Sequence, residues 1–359
     1  MLLAEGSDCR YLKRTGQGPR SSGIEEFCLY YCNRLSFAEV SKLLERVSGE
    51  RLLCEQTLCN WVERKAREVG AALSSEVSAS RSLALPTFAE SLDIYDADSE
   101  EVLVSTDAIQ VKAQKPSRER RRGAEHDSPE EKEKKVKKKR INTDLMLIQG
   151  RDGSFRHLLS AGLGGGGGGE GTAASLCEVA RAYLRREWGE NPEPVPIVAI
   201  TDGARSIRLM LEELFGPSVR VILDWYHLAK KVYQLLSMVA HAKAERERME
   251  GRVLSFLWHG RLLEALSYLG SVSARREEAL TELVTYLEKH ASEIIDYERR
   301  AKVSKVIGSG RMEKAVDQAV GIRQKKKGMS WSETGSHALA LLKVVELNGE
   351  WDELWAAAA

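Results

Sequence analysis

Three acidic residues stand at places where the local sequence predicts structural corners. Asp107 ends the apolar run of residues 102–106, Asp202 ends the run of residues 197–201, and Glu313 lies at the start of a predicted helix. Converging carboxylates of this kind bind divalent cations through hard oxygen ligands. Enzymes that cut and join phosphodiesters commonly use two such cations. The three acids therefore predict a site for two Mg²⁺ or Mn²⁺ ions, bridged by Asp107.

A fourth acid, Asp224, competes for the second position of this site. Like Asp202 it ends an apolar run, and His227 follows it three positions later. Spacing alone does not exclude Asp224. Asp202 is preferred because its strand is expected to adjoin the strand of Asp107. Asp224 and His227 are then expected to orient the helical insertion that follows them.

The apolar runs that position these acids predict a mixed α/β domain. Three consecutive strands come first, the second and third joined by the hairpin turn Gly150–Gly153, and helices alternate with strands afterwards. We expect a mixed sheet with helices on its faces, in the element order of the ribonuclease H-like fold. The first strand is then central and lies beside the strand of Asp202. The predicted strands cover about residues 102–112, 141–149, 155–160, 197–201 and 219–223, and the helices about residues 173–188 and 206–215.

A long helical segment separates the second acid from the third. Residues 228–303 are rich in charge and carry leucines and valines at helical spacing, which predicts an all-α insertion. The α/β domain is therefore divided into residues 101–227 and residues 304–359. The glycines on either side of Ser309 allow a close backbone approach, or a positive φ, immediately before the helix of Glu313.

The first hundred residues predict a DNA-binding region. Residues 1–34 carry little pattern and are expected to be irregular, and residues 71–100 are expected to form a linker with a helical start. Between them, a capping box at Ser36 opens one amphipathic helix, and a second helix follows a glycine-bearing turn. Residues 35–70 are therefore a helix-turn-helix or a plain α-hairpin, and the sequence favours neither. In the first case the residues that face the DNA groove are Gln56, Thr57, Asn60 and Arg64.

Charge is concentrated locally, although the net charge is only +1. Residues 115–140 hold twelve Lys or Arg against six Asp or Glu without apolar periodicity, which predicts a mobile insertion. That insertion is either a solvated loop or an arm that contacts phosphates. The six glycines of residues 164–169 are not followed by lysine, so we expect a hinge and not a phosphate loop. Without a signal peptide or long apolar span, the chain is expected to be a cytoplasmic protein with no membrane contact.

Positive charge also gathers beside the third acid. This group is either a solvated helix end or a surface that contacts the phosphates of DNA. In the second case, binding would weaken steeply with salt because counterions are released from the DNA. The residues concerned are Arg311, Lys314, Arg323, Lys325, Lys326 and Lys327.

Four motifs give the chain a family resemblance that runs from about residue 35 to the C-terminus. They are VSTDA at 104–108, ITDGA at 200–204, DWYHL at 224–228 and GSGRME at 308–313. They resemble bacterial insertion-sequence transposases of the DDE class, in the mutator-like branch and most closely the ISKra-type group. The resemblance implies that Asp107, Asp202 and Glu313 bind the metal ions. It also implies that Asp224 and His227 match the family's [Cys/Asp]-x2-His motif. The short N-terminal region, the charged segment and the glycine run depart from the family pattern.

The activity implied by this resemblance is nicking at the ends of a mobile element, followed by joining of the 3′-hydroxyls to target DNA. The implied partners are double-stranded DNA, as terminal inverted repeats and target, with the protein acting as a nucleoid-associated homo-oligomer. Two alternatives stay open. A nuclease of the same fold would hydrolyse DNA without joining it, and a non-catalytic remnant would only bind DNA.

Overall fold

The computed structural model describes residues 13–15, 18–115, 140–163, 173–326 and 328–356 of the 359-residue chain. Most of the charged segment of residues 115–140, the glycine run of residues 164–169 and Lys327 lie outside the described residues. Within the described part, no helix has both the length and the apolar character needed to cross a bilayer.

The chain opens with a short hairpin and three helices. Ser36 forms the capping box that the sequence predicts: its hydroxyl accepts the amide of Glu39, whose carboxylate accepts the amide of Ser36. Gly49 ends the same helix in the left-handed conformation. The elements are β1 (Lys13–Thr15), β2 (Gly18–Arg20), α1 (Ser22–Cys32), α2 (Phe37–Ser48) and α3 (Glu55–Ser80).

One of these elements differs from expectation. Helix α1 lies inside the segment that is expected to be irregular. Helix α3 continues to Ser80, in agreement with the helical start expected for the linker. Cys28, Leu29 and Cys32 of α1 are fully buried, and Glu25 is buried one turn before them. An acid and two cysteines do not stand out as an apolar stripe in a sequence, and their burial depends on residues far along the chain.

A five-stranded mixed sheet follows, and all five expected strands are present. The order across the sheet is β5-β4-β3-β6-β7; β6 runs parallel to β3 and β7, and β4 is antiparallel to β3 and β5. Gly153 takes the left-handed conformation in the turn between β4 and β5. The strands are β3 (Val102–Lys112), β4 (Arg140–Gln149), β5 (Phe155–Leu158), β6 (Ile197–Thr201) and β7 (Arg220–Leu223).

One face of the sheet is covered by two helices, α4 (Leu176–Trp188) and α5 (Arg205–Phe215). Their apolar sides pack with Val102 and Val104 of β3 in one hydrophobic cluster. A second capping box, at Ser175, fixes the start of α4.

The other face is covered partly by a block of five helices between β7 and the third acid. Its leucines and valines pack around a core that also includes Val198 and Ile200 of β6. The fully buried Arg300 binds the Glu101 carboxylate, with Nη1 3.0 Å from Oε2, and so ties the end of the block to the start of β3. The helices are α6 (Trp225–Val239), α7 (Lys243–Trp258), α8 (Leu262–Gly270), α9 (Glu277–Lys289) and α10 (Tyr297–Lys302).

The C-terminal helices complete that face and share one core with α1, α2 and α3. This core joins Leu29 and Leu58 from the N-terminal helices to Ile109 of β3 and Leu342 near the C-terminus. The N-terminal helices therefore pack directly on the α/β part of the chain. The C-terminal elements are α11 (Gly310–Val316), a π-helical turn (Asp317–Gly321), α12 (Ile322–Gln324), α13 (Glu333–Leu347) and α14 (Trp351–Ala356).

Candidate active site

Asp107 and Asp202 stand level with each other on neighbouring parallel strands. The register pairs Val102 of β3 with Ile197 of β6, and each acid lies equally far beyond its member of that pair. Paired residues of parallel strands share a face, so the two side chains start from the same face of the sheet. Leu103 lies on that face and packs with the core of the helical block.

Asp107 lies within β3, as expected from the predicted strand of residues 102–112: the apolar run ends before Asp107, but the strand does not. The strand continues to Lys112, where it pairs with β4 after its pairing with β6 has stopped. The half-buried Asp107 carboxylate accepts the amide of Ala108 at 2.7 Å. Burial raises the pKa of Asp107, and the nearby carboxylates of Asp202 and Glu313 raise it further. Asp202 and Glu313 are therefore both close enough to Asp107 to oppose its ionisation.

Glu313 projects from the first turn of α11 with 61% of its side chain exposed. The preceding backbone lies against Tyr226: a Cβ on Gly308 would come within 2.6 Å of its ring, so glycine is required there. A Cβ on Gly310 would meet open space, and neither glycine has a positive φ. The expected close approach of the backbone to a neighbouring group is therefore present at Gly308 and absent at Gly310. Ser309 is the N-cap, but its hydroxyl makes no capping hydrogen bond.

Asp224 is level with Asp202 in the register of β6 and β7, but its carboxylate is already occupied. One oxygen accepts the amide of His227 at 2.8 Å, and the other accepts the amide of Ser309. Burial alone would raise the pKa of Asp224, which is 1% exposed, but these hydrogen bonds outweigh it and lower the pKa to about 2. Asp224 thus caps α6 and holds the turn that leads to Glu313.

His227 lies between Asp224 and Glu313. Its Nδ1 is 3.4 Å from Asp224 Oδ1, and its Nε2 is 3.9 Å from Glu313 Oε1. Asp224 raises the pKa of His227, and Glu313 and Asp202 raise it further against the opposing effect of burial. These carboxylates therefore favour the imidazolium form of His227 over the neutral ring.

A buried polar cluster lies under the turn that follows Asp202. Gly203 has a φ of +82°, and a Cβ there would lie 2.3 Å from the ring of His290. His290 Nδ1 lies 2.7 Å from Glu293 Oε2, and Arg208 Nε lies 2.7 Å from Glu293 Oε1. The helical block thus supports the loop of the second acid. Sequence reasoning missed this cluster, and no local pattern marks its members.

The basic residues expected to contact phosphates fall into two groups. Arg323 is 3% exposed, donates from Nε to the Cys32 carbonyl at 2.6 Å, and stacks on Trp331. It holds α12 against α1, so a phosphate contact by this residue is contradicted. The exposed group comprises Arg311, Lys314, Lys325 and Lys326.

The residues expected to face a DNA groove lie near the start of α3. Gln56 and Asn60 are exposed and bonded to each other at 2.9 Å, whereas Thr57 is half-buried. Arg64 forms ion pairs with Glu25 of α1 and with Glu68. Its guanidinium is engaged within the protein, which leaves Gln56 and Asn60 as the open part of this surface.

Among the described residues, no three His, Cys, Asp or Glu side chains are gathered closely enough to form a ready-made metal site. Asp202 and Glu313 are both exposed, so their side chains retain the rotamer freedom needed to approach Asp107.

The fold and the site define a mixed α/β protein with an acidic centre beside the ends of its parallel strands. The model of an uncharacterised protein family, UPF0236, matches residues 170–355, just over half of the chain. The chain belongs to that family. The matched range includes Asp202, Asp224 and Glu313 and begins after Asp107. No curated protein and no solved structure matches the chain.

Proposed function

We propose that this protein is a DDE-type transposase of a bacterial insertion sequence, most similar to the ISKra-type group of the mutator-like branch. It would cleave the ends of its element in a metal-dependent reaction and join the 3′-hydroxyls to target DNA. One observation carries the proposal. Asp107 and Asp202 are level on adjacent parallel strands, and Glu313 is close enough to alter the pKa of Asp107.

The topology supports a ribonuclease H-like fold for the catalytic part. The first strand of the sheet along the chain, β3, is central, its antiparallel neighbour β4 continues to β5, and β6 and β7 extend the other side in parallel. In this proposal the first acid belongs to the central strand and the second to its parallel neighbour. Helices α6 to α10 form the insertion between the second and third acids.

The donor set fits hard divalent cations. Asp107 carries a raised pKa because burial and two further carboxylates oppose its ionisation, and a bound cation would remove that opposition. Asp107, Asp202 and Glu313 would hold two Mg²⁺ or Mn²⁺ ions. When bound, the ions would activate a water or a DNA 3′-hydroxyl and neutralise charge on the leaving oxygen.

The chain's own residues prepare this site. Asp224 holds the Ser309 amide and so fixes the start of the helix that carries Glu313. His227 Nε2 lies 3.9 Å from Glu313 Oε1, and the protonated ring would reduce repulsion among the acids. These positioning roles agree with the [Cys/Asp]-x2-His resemblance and favour Asp202 as the second metal ligand.

The partners in this proposal are double-stranded DNA ends and target DNA. The exposed basic residues Arg311 and Lys314 flank the third acid, and Lys325 and Lys326 lie beyond the π-helical turn. Phosphate contacts from this surface would make binding weaken steeply with salt. Cleavage and joining at both ends of the element would require a homo-oligomer assembled on DNA. The protein would act in the cytoplasm, at the nucleoid.

The test uses inverted repeats identified in the DNA that flanks the coding region. A labelled duplex carrying one repeat is incubated with the full chain and Mg²⁺ or Mn²⁺, and nicking at the repeat boundary is expected. Asp107→Asn should abolish nicking. Asp144→Asn is the matched control, because Asp144 is an exposed acid on β4 that faces the opposite side of the sheet from Asp107.

Product analysis separates the alternatives. Joining of the labelled 3′-end to a second plasmid supports a transposase, whereas hydrolysis without joining indicates a nuclease. Repeat-specific binding without cleavage indicates a non-catalytic remnant. Cleavage that survives Asp107→Asn would refute the assignment of the metal site.

A further inference from the structure

The exposed face of α6 carries two tyrosines that the acidic site does not account for. The opposite face of the helix is buried through residues such as Leu228 and Val232. On the outer face, Tyr226 is 64% exposed and Tyr233 is 48% exposed. Aromatic rings that face solvent so openly are enriched where proteins bind a partner.

These tyrosines form a continuous stripe with Lys230. Residues at positions i, i+4 and i+7 fall on one side of an α-helix, so the order along this side is Tyr226, Lys230, Tyr233. At a rise of 1.5 Å per residue, the two tyrosines are roughly 10 Å apart along the axis. That distance corresponds to about three nucleotide steps of 3.4 Å in a stacked strand.

The stripe begins at the acidic site. Tyr226 lies between Asp224 and His227 in the sequence, and its ring rests against Gly308, immediately before the turn to Glu313. Contact with the glycine backbone supports one part of the ring while leaving most of the residue in solvent. A strand held at the acids therefore has an aromatic surface beside it.

The two lysines of α6 differ in a way that matters for this surface. Lys231 turns towards α9 and pairs with Glu282, Nζ to Oε1 being 2.6 Å. Lys230 is exposed, and the described part of the chain provides no carboxylate within ion-pair distance of it. Its charge is thus available to a phosphate between the two tyrosines.

We propose that the stripe formed by Tyr226, Lys230 and Tyr233 binds a short unpaired DNA segment next to the cleavage position. The two rings stack on base faces and Lys230 contacts the intervening backbone, the combination that single-strand binding sites use. Unpaired bases are required because a duplex covers its base faces with neighbouring pairs. Assigning this strand to the element end rests on the proposed function, whereas the binding itself does not.

The experiment measures binding of fluorescein-labelled oligothymidylate and of a blunt duplex of equal length by fluorescence anisotropy. Tyr226→Leu and Tyr233→Leu should each weaken oligothymidylate binding about ten-fold, while Tyr→Phe at either position keeps it. Duplex binding should change less than about two-fold. Lys230→Gln should weaken binding and reduce its salt dependence, unlike Lys243→Gln on α7, which removes the same charge from another exposed position.

A covalent readout locates the contact. Oligothymidylate containing 5-iodouracil should crosslink to Tyr226 or Tyr233 under ultraviolet light, as identified by mass spectrometry of the tryptic peptides. Wild-type oligothymidylate affinity in both folded Tyr→Leu variants would overturn the proposal. Equal losses for oligothymidylate and duplex would also overturn it, because the surface would then bind duplex.

The outcomes separate this proposal from the proposed function. Tyrosine-dependent strand binding without any metal-dependent cleavage would support the stripe and refute the transposase. Cleavage that depends on Asp107, combined with strand binding indifferent to both tyrosines, would support the transposase and refute the stripe.

Discussion

The ends of β6 and β7 carry the same type of residue at the same level of the sheet, and they use it in opposite ways. Asp202 is exposed and accepts one described hydrogen bond, from the Ala204 amide at 2.8 Å. Asp224 is buried and accepts amides from His227 and Ser309. A carboxylate whose oxygens are taken by backbone amides stabilises structure, while one left in solvent is available to an external cation.

The two strand ends are also supported differently. At β7, the acid itself forms the link, since Asp224 joins α6 to the turn before α11. At β6, the link is steric, because Gly203 packs under the buried ring of His290 and leaves the Asp202 carboxylate uninvolved. The fold can therefore fix the position of Asp202 while its carboxylate accepts only one described hydrogen bond, from the Ala204 amide.

The largest expected effect tests which acid serves the reaction. Asp202→Asn should reduce metal-dependent cleavage on the order of 10³-fold, because the proposed site would lose one of its metal ligands. Its thermal midpoint should stay close to that of the wild type, as is usual for an exposed site. Cleavage is measured on the flanking-repeat duplex, and unfolding by circular dichroism.

Asp224→Asn is the comparison for that result. It should lower the midpoint as well as the activity, because it disturbs the backbone before Glu313. Full cleavage by Asp202→Asn would transfer the metal-binding role to Asp224 and reverse the contrast between the strand ends.

The second effect concerns the steric support at β6. Gly203→Ala should lower the free energy of unfolding by about 3 kcal/mol, because it combines a left-handed φ with a clash against His290. Gly49→Ala, at the C-terminal end of α2, also replaces a left-handed glycine (φ +80°) but meets open space, and should lose only about 1 kcal/mol. Urea denaturation of both variants isolates the contribution of His290. Equal losses would show that His290 does not support this turn.

The third effect tests the hydrogen bonds at β7. Asp224→Asn should lower the free energy of unfolding by about 2 kcal/mol at neutral pH, because an amide cannot replace a carboxylate that accepts two buried amides. The pKa of Asp224 is lowered to about 2 in the folded protein, so its stabilisation is complete above about pH 4. It should disappear as the pH falls through about 2. A difference between wild type and variant that persists unchanged in acid would refute this origin.

Much of the sheet could be predicted because its strands are short apolar runs that end at turns or charged residues. The level placement of Asp107 and Asp202 was also predictable, since an in-register parallel neighbour of the first strand puts both acids in one row. The same logic favoured Asp202 over Asp224, because only the strand of Asp202 adjoins β3. It could not show that the Asp224 carboxylate is occupied by the Ser309 amide, which lies 85 positions after Asp224 in the chain.

Other features escaped prediction for the same reason. Arg323 resembles its basic neighbours in the sequence, but its burial depends on Trp331 and on the carbonyl of Cys32, 291 positions away. In the sequence, His290 and Glu293 resemble ordinary charged residues near the end of a helix. Only the folded helical block brings them against the turn after β6. Long-range polar contacts of this kind leave no periodic signal in a sequence.

The smallest expected effect concerns Asp107, the acid that faces the other two. Its pKa is raised in the folded protein, so ionisation at neutral pH destabilises the fold relative to the unfolded chain. Asp107→Asn should therefore increase the free energy of unfolding by a few tenths of a kcal/mol at neutral pH while cleavage is lost. The gain should vanish below about pH 4, where Asp107 is protonated in both states. Asp144→Asn, on the opposite face, should show no such pH-dependent gain. If Asp107→Asn instead lowers stability at neutral pH, the Asp107 carboxylate stabilises the fold, as the Asp224 carboxylate does. The neighbouring acids would then not oppose its ionisation, and the argument that a cation relieves this opposition would fail.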